Sequence, residues 1–303
     1  MLNRAQRDIV AASLLMSPVT IFLAIFFFVP MSIIFVFSWL EPGLYGGVEW
    51  SFYHWNYGRI FGWADGVWEI FEPYYVQAIL RSIRLAFITV VMCIFLAYPL
   101  AFWVSRQPRK RQSFLLFMVT LPFFASMIVR LYAWILILKP TGFINSTLLM
   151  VGIIDEPIDI LFSEAAVILG MTYLMLPFAF FPLYSSIEAL DWSNVEASAD
   201  LGARPHTTFQ KVVLPQTLHG IFAASVIVFI PSVGNFIIPE ILGGAKVMMV
   251  GNMIEQQFLD ARNWPFGSAL AMTVMAIILT IMLLYARYLK SRRGANSGSG
   301  GLI

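Results

Sequence analysis

The stretch Asn194–Pro215, NVEASADLGARPHTTFQKVVLP, is a polar segment that separates two long apolar segments of the chain. The flanking residues 165–187 and 218–239 contain no Asp, Glu, Lys or Arg. A helix that crosses a bilayer needs about 20 mostly apolar residues, so each flanking segment predicts a membrane span. The polar stretch between them is then a loop exposed on one side of a membrane.

The composition of the whole chain supports this interpretation. Hydrophobic residues make up 59% and charged residues 12% of the 303 residues, whereas soluble proteins have roughly 45–50% and 25%. We therefore predict an all-α, polytopic membrane protein with about six transmembrane helices. The first apolar segment has no charge from Ile9 to Leu40, longer than the apolar region of a signal peptide, and is expected to be retained. The six segments lie near residues 12–39, 85–105, 113–138, 165–187, 218–239 and 266–286.

The distribution of Lys and Arg predicts the orientation, because short cytoplasmic loops are enriched in these residues. Residues 106–112, RQPRKRQ, contain four basic side chains and no acidic one, and residues 287–293 contain four more basic ones. We therefore place both termini and the polar loop, 188–217, in the cytoplasm. The predicted organisation is a cytoplasmic N-terminus (1–11), a transmembrane region (12–288) with an outer loop at 40–84, and a cytoplasmic tail (289–303). The last residues, GANSGSGGLI, predict a flexible linker, native or artificial.

Several kinds of chemistry are absent from the sequence. There is no phosphate-binding loop, no serine nucleophile elbow and no His-Glu-x-x-His metal pair. The three histidines fall in different predicted compartments, so no metal site is expected, and the single cysteine, Cys93, excludes a disulfide within the chain. The short basic clusters flank apolar spans, which indicates lipid headgroups rather than nucleic acid. We predict no catalytic residues, so energy for solute movement would come from another polypeptide or from an ion gradient.

The polar loop carries start and stop signals for two short helices. Ser193 and Glu196 have the spacing of a capping box, and Gly202 is placed to end the first helix in a left-handed conformation. Pro205 can open a second helix, and Pro215 is expected to interrupt its continuation into the fifth span.

The first of these helices has only about two turns, too few to be stable alone in water, so it requires packing. The small side chains of Ala197, Ser198 and Ala203 allow another surface to approach, and Leu201 and Phe209 offer apolar contacts. An ordinary loop with a surface helix is the alternative interpretation.

The segment also resembles the EAA signature of the permease subunits of bacterial ATP-binding-cassette (ABC) importers. That pattern is E-A-A-x-x-x-G followed by hydrophobic-x-Leu-Pro, and Ser198 replaces its third-position Ala. The resemblance implies that the loop forms a coupling helix, which docks into a groove of an ATP-hydrolysing subunit. The residues expected to couple the chain to that subunit are Glu196, Ala197, Ser198, Asp200, Leu201, Gly202, Ala203, Phe209, Leu214 and Pro215.

The resemblance extends over about residues 75–288 and is most specific for permeases of spermidine and putrescine. It is carried by LPFFASMIVRLYAW (121–134), PLYSSIEAL (182–190) and VGNFIIPEILGGAKVMMVGNMIEQQFLDARNWPFGSAL (233–270). It implies a type I ABC importer permease fold in a bacterial inner membrane, with the 40–84 loop in the periplasm. The implied partners are a second homologous permease, two ATPase subunits that hold ATP and Mg, and a periplasmic binding protein, with no cofactor on this chain.

Other functions remain open from the sequence. Related permeases carry ferric iron, thiamine, amino acids or phosphonates, and the 40–84 loop matches the polyamine branch less well. An ion-gradient-driven secondary transporter usually shows inverted repeats and ion-coordinating groups at mid-membrane, and neither is evident. A structural membrane scaffold is a further alternative.

A polyamine pathway would need carboxylates for ammonium groups and aromatic faces for cation–π contacts. Tyr132, Trp134, Glu240, Glu255 and Trp264 are the candidates for these roles. Each has a structural alternative: Glu240 could cap or pair, and Trp264 could anchor the chain at the membrane interface.

Two further pathway candidates follow from residues that are costly within a span. Arg130 lies inside the third apolar segment, where a charge usually has a partner; we hypothesise that it pairs with Glu240 and helps to gate the pathway. Asn235 lies between Pro231 and Pro239, and this spacing predicts a bent fifth helix that lines the pathway, with close packing as the alternative.

Overall fold

The computed structural model describes residues 4–63 and 71–297, with side chains described for residues 16–63, 71–244 and 246–287. The chain folds into two compact units, one formed by Met1–Pro73 and Ile254–Ile281, the other by Tyr74–Met253 and Met282–Ile303. The helix α11 (Val250–Leu259) passes from the second unit into the first, and α12 (Trp264–Ser297) passes back.

The first unit begins with the long apolar helix α1 (Arg4–Phe37), which is followed by a small antiparallel hairpin and the short helix α2 (Trp55–Ile60). The hairpin pairs β1 (Leu40–Pro42) with β2 (Val48–Phe52). The buried Asn56 side chain donates hydrogen bonds to the carbonyls of Ser38 and Leu40 at 3.2 and 2.9 Å. These bonds hold the hairpin against the end of α1.

The second unit contains most of the remaining helices. In chain order these are α3 (Tyr74–Ser105), α4 (Arg109–Thr120), α5 (Met127–Leu138), α6 (Phe143–Met150), α7 (Glu164–Glu188), α8 (Trp192–Asp200), α9 (Pro205–Thr208) and α10 (Leu214–Val233). Short 3₁₀ segments lie at Leu121–Phe124 and Gly244–Lys246, and π-helical turns lie at Phe209–Val213 and Pro239–Gly243.

Helices α3, α7 and α10 form the centre of this unit and pack closely. A Cβ at Gly220 of α10 would meet the Ser186 side chain and the Pro182 carbonyl of α7. Tyr98 of α3 shares a 2.9 Å hydrogen bond with the buried Thr217 of α10. Because hydrophobic burial does not drive helices together in lipid, such small-residue contacts and interhelical hydrogen bonds set the packing.

Six helical stretches of the described chain are long and apolar enough to cross a membrane. The predicted all-α polytopic fold is therefore confirmed, with the hairpin as its only sheet in the described residues. The stretches are Met16–Phe37, Tyr74–Ser105, Met127–Met150, Glu164–Glu188, Pro205–Val233 and Trp264–Arg287.

The predicted end of the outer loop at residue 84 was wrong, because α3 already begins at Tyr74. The helix includes two arginines before residue 85, which share one carboxylate. Arg84 forms 2.6 Å hydrogen bonds with both oxygens of Glu164, at the start of α7, and Arg81 Nε lies 3.6 Å from the same group. This neutralising partner lets the helix continue through the charged turn.

The third predicted span, 113–138, is not one helix. Helix α4 ends at Thr120, a 3₁₀ turn follows, and α5 begins at Met127 after Ala125 and Ser126 adopt extended conformations. Pro122 explains the interruption, because its ring clashes with the carbonyl four residues earlier and it has no N–H for that acceptor. The stretch counted as Met127–Met150 joins α5 to α6 through a turn at residues 139–142.

The fifth span also differs from its prediction. Pro215 does not interrupt the helix, since α9 continues into α10 through the π-helical turn Phe209–Val213. The wider turn accommodates the missing N–H of the proline. The expected bend occurs as a break after Val233, before the π-turn that begins at Pro239.

The tail prediction is partly wrong, because α12 runs to Ser297 and therefore includes the first residues of GANSGSGGLI. The final residues of that stretch lie outside the described part of the chain, as do the first three residues of the predicted N-terminal segment.

Two glycines in the fifth span provide a matched test of the packing. We expect Gly220→Ala to lower the free energy of unfolding by about 1–3 kcal/mol through overpacking, although alanine favours a helix by about 1 kcal/mol. Gly234→Ala is the control, since a Cβ there meets nothing within 4 Å and its φ is −86°. Unfolding of the two variants in detergent can be followed by tryptophan fluorescence. Equal stability would contradict the packing.

Candidate functional site

The polar loop between α7 and α10 is the first candidate site, and its helix α8 begins differently from the prediction. Asp191, not Ser193, is the N-cap, since its carboxylate accepts the Ser193 N–H at 3.1 Å and the Ser193 hydroxyl at 2.7 Å. A carboxylate also interacts favourably with the helix dipole. The predicted Ser193–Glu196 capping box was therefore wrong, and Glu196 is left exposed on α8.

The end of α8 agrees with the prediction for Gly202, whose φ is +77°. The Gly202 N–H donates to the Ala199 carbonyl at 2.9 Å, and the Ala203 N–H donates to the Ser198 carbonyl at 3.1 Å. This pair of bonds is a Schellman motif, which closes the helix only when the following residue is left-handed. Gly202 therefore fixes the direction in which the chain leaves α8.

Helix α9 begins at Pro205, as predicted, and is tied back to α8. The hydroxyls of Ser198 and Thr208 share a hydrogen bond of 2.8 Å. Ser198 is the position at which the sequence departs from the EAA pattern, so the additional hydroxyl has a structural role. It fixes the spacing of the two short helices.

Two aromatic side chains of α3 and Arg106, which directly follows α3, anchor the loop, and sequence reasoning missed all of them. The Trp192 ring, at the start of α8, makes an edge contact with Phe102 at 5.9 Å, and the Arg106 guanidinium lies 4.8 Å from the same tryptophan ring. Further along the loop, Phe209 meets Tyr98 edge-on at 5.8 Å. The only sequence signal was aromatic residues at both ends of the loop and near the end of α3.

The anchored loop leaves an open groove of about 690 Å³. No residue of α8 is buried, and the Leu201 side chain is 89% exposed, so an apolar side chain at the helix end has no cover from the described chain. Of the predicted coupling residues, Glu196, Ala197, Asp200 and Gly202 are exposed. The groove is lined by Asn194, Ala197, Ser198, Leu201, Ala203, Thr207, Lys211, Val212, Pro215 and Gln216.

The second candidate site lies around the break that follows α10. The Asn235 carboxamide oxygen accepts the Ile238 N–H at 2.9 Å. The buried Asn252 side chain donates to the Phe236 carbonyl at 3.0 Å and to a Glu240 carboxylate oxygen at 3.1 Å. Glu240 is thus held by Asn252, a residue that sequence reasoning missed, whereas Asn235 caps the next helical turn separately.

The predicted pairing of Arg130 with Glu240 was wrong. Glu240 binds Asn252 instead, and the salt bridges between described residues are those of Arg81 and Arg84 with Glu164. The Arg130 Nε atom is buried and has no hydrogen-bond partner among the described residues. The Asn252 amide therefore bonds to the Glu240 carboxylate, and the Arg130 guanidinium is left for a group outside the described residues.

The remaining pathway candidates have separate environments. Tyr132 is 58% exposed on α5, while Trp134 packs edge-on against Tyr173 of α7 at 5.5 Å. Glu255 and Trp264 belong to the first unit, where Glu255 is half-buried and Trp264 is 44% exposed. Within the described residues, no group of three His, Cys, Asp or Glu side chains is arranged to hold a metal ion.

Comparison with known proteins gives a consistent result. The model of the family described as binding-protein-dependent transport system inner membrane component matches residues 94–294. The spermidine/putrescine transport system permease protein PotB of Escherichia coli (strain K12) is 39% identical over 74% of this chain and 81% of its own length. The protein of the same name from Haemophilus influenzae (strain ATCC 51907 / DSM 11121 / KW20 / Rd) is 41% identical over 72% of this chain and 77% of its own.

A solved structure shares the fold at low sequence identity. A chain of a bacterial ABC transporter involved in the import of the acidic polysaccharide alginate superposes with a TM-score of 0.71. The two sequences are 16% identical, and the match covers 95% of this chain and 99% of the other. The likeness concerns the arrangement of helices.

The anchoring of α8 can be tested by proteolysis of the loop. We expect Trp192→Ala to increase cleavage after the exposed Glu196 by about ten-fold, because it removes one aromatic and one cation–π contact of roughly 0.5–1.5 kcal/mol each. Leu201→Ala, at the exposed end of the same helix, is the control and should cleave as the wild type does. The measurement is the rate of Glu-specific proteolysis in detergent, with products identified by mass. Equal rates for the two variants would show that Trp192 does not hold the loop.

Proposed function

The chain belongs to the family of binding-protein-dependent transport system inner membrane components, and from this membership we propose that it forms part of the membrane pathway of an ATP-driven polyamine importer. The observation that carries the coupling half of this proposal is the loop with helices α8 and α9. It is rigidly capped, anchored to α3 and open on its outer face. The substrate half rests on the relatives that are named for spermidine and putrescine.

The loop has the properties of a docking element for an ATPase subunit. Its groove is lined by small side chains and by the exposed Leu201, with Lys211 as the charged group at the edge. Such a surface allows a partner helix or cleft to approach the backbone closely, and the apolar side chain at its centre provides the anchor. In this proposal ATP and Mg bind to the partner, and the chain itself holds no nucleotide.

The Schellman motif makes the loop suited to transmit force. Its hydrogen bonds fix α8 to the chain that follows, and the Ser198–Thr208 bond fixes α8 to α9. Since α9 continues into α10, a displacement of α8 would be passed to a transmembrane helix. We infer an alternating-access cycle, in which ATP binding to two ATPase subunits moves this loop and its counterpart on a second homologous permease.

The proposed route of the solute starts at a periplasmic binding protein and ends in the cytoplasm of the bacterial cell. The basic residues 106–112 and 287–293 support the placement of both termini in the cytoplasm. Glu240, which is bonded to Asn252, and Asn235, which caps the next helical turn, are the pathway groups that the break after α10 supports best. Tyr132, Trp134, Glu255 and Trp264 stay proposed contacts for the ammonium groups and stem of the substrate.

The function is tested by reconstitution in vesicles with the second permease, the ATPase and the binding protein. We expect uptake of radiolabelled spermidine or putrescine that requires ATP and all four components, with omission of the binding protein as the control. Uptake that is driven by an ion gradient without the ATPase would contradict the proposal. ATP-dependent uptake of another solute, with no polyamine competition, would retain the importer and replace its substrate.

The coupling loop is tested by one substitution at two glycines of similar backbone conformation. Gly202 and Gly152 have φ values of +77° and +72°, and a Cβ at either meets nothing within 4 Å. Valine at each position therefore introduces about the same strain, roughly 1–2 kcal/mol. We expect Gly202→Val to reduce uptake per ATP hydrolysed by about ten-fold and Gly152→Val to leave this ratio unchanged.

The readout is the ratio of substrate transported to phosphate released, with membrane insertion measured for both variants. A wild-type ratio in Gly202→Val would remove the coupling assignment. An equal loss in both variants would indicate a general effect of strain on the fold.

A further inference from the structure

The interruption between α4 and α5, at Leu121–Ser126, is not explained by the coupling loop. It divides the apolar residues 113–138 into the last eight residues of α4 and the 12 residues of α5, since α4 begins with the polar residues 109–112. At 1.5 Å per residue these two parts supply roughly 12 and 18 Å, and a bilayer core is about 30 Å thick. The interruption therefore falls near the middle of this segment of the chain.

Contacts with α7 give its depth independently. Phe123 meets Phe178 edge-on at 5.0 Å, and Phe178 lies near the centre of α7 (Glu164–Glu188). Trp134, further along α5, meets Tyr173, which lies nearer to the start of α7. The chain from Phe123 through α5 thus runs antiparallel to α7, and the interruption lies level with the centre of α7, at mid-membrane.

The backbone at this depth is left without partners. The N-cap Ser126 makes no side-chain hydrogen bond, and Ala125 and Ser126 are exposed. Among the described residues no donor reaches the Ala125 carbonyl, and no acceptor reaches the Ser126 N–H.

The break after α10 shows how the same chain closes an interruption with protein. There Asn252 and the Glu240 N–H both bond to the Phe236 carbonyl, and Asn235 caps the next helical turn. A Cβ at Gly251 would overlap the carbonyls of Gly234 and Asn235, so this backbone is covered. No comparable cover exists at Leu121–Ser126 in the described residues.

Lipid cannot cover the open interruption, because irregular backbone at membrane depth is tolerated only against protein or water. Arg130, one turn further along α5, also indicates water at this depth, because its buried Nε has no partner in the described chain. An ionised guanidinium, an unpaired carbonyl and an unpaired N–H at one depth require a polar medium.

We infer that the interruption Leu121–Ser126 lines a water-filled section of the translocation pathway at mid-membrane, an inference that rests on the proposed importer function. The free Ala125 carbonyl accepts hydrogen bonds from the ammonium groups of a passing cation, while the charge of Arg130 repels the same groups. Binding at this depth is therefore weak, and weak binding is what passage requires. The class of solute that suits the section is an extended amine, which can place one ammonium group past Arg130 at a time.

Thiol accessibility tests this inference in the assembled importer. Because Cys93 is the chain's single cysteine, Cys93→Ser provides a background for Ser126→Cys. Leu96→Cys is the control: Leu96 is 46% exposed on α3. It lies at a similar depth, since Cys93 contacts the Thr172 carbonyl of α7. The probe is a membrane-impermeant, positively charged methanethiosulfonate, added to vesicles with and without ATP.

We expect Ser126→Cys to react at least ten times faster than Leu96→Cys in one nucleotide state, and spermidine to slow the reaction. Equal or slower reaction of Ser126→Cys in every state would overturn the inference. Slow labelling of Ser126→Cys together with its cross-linking to the second permease would also overturn it, because protein and not water would then cover the interruption. Polyamine uptake measured on the same vesicles separates the two claims. Polyamine uptake without labelling would contradict the aqueous section alone, whereas labelling without polyamine uptake would contradict only the proposed substrate.

Discussion

The structure depends on the requirement that backbone N–H and C=O groups within a membrane be bonded inside the protein. An unpaired group in lipid costs several kcal/mol, so the apolar segments form helices and each departure from a helix needs a specific solution. At Pro215 the solution is a π-helical turn, and after Val233 it is the side chain of Asn252. At Ala125–Ser126 no group of the described chain provides one. The three cases differ in which partner completes the hydrogen bonding.

The same requirement for paired backbone groups explains why capping residues close both ends of helix α8 in the coupling loop. Its helix α8 lies in water and is too short to be stable alone. Its ends are closed by Asp191 and by the bonds around Gly202. Such caps contribute about 1 kcal/mol each. The contacts of Trp192 with Phe102 and Arg106 supply the remaining fixation, and they leave the outer face of the helix free for a partner.

Much of the fold follows from the sequence because hydropathy and length alone define membrane helices. The predictions failed where a residue other than the predicted one, or a contact with a distant segment, decided the structure. The outer loop was predicted to end at residue 84, but Arg81 and Arg84 lie in α3 and pair with Glu164, about eighty residues away. Ser193 suggested a cap, but Asp191 precedes it with a stronger acceptor. Gly202 and Pro205 were predictable because their backbone geometry is intrinsic. The roles of Asn252 and Trp192 were not, because they depend on segments brought together by folding.

Helix α3 connects the two ends of this unit. Near its first turns, Arg84 binds Glu164 at the start of α7; near its end, Arg106 and Phe102 hold Trp192, the first residue of α8. Between these points Tyr98 bonds to Thr217 of α10. Side-chain contacts therefore join α3 to α7, which precedes the loop that is proposed to receive the ATPase, and to α10, which follows it. A displacement of the loop would reach α3 and α10 together at Tyr98, because this side chain contacts Phe209 of the loop and bonds to Thr217 of α10.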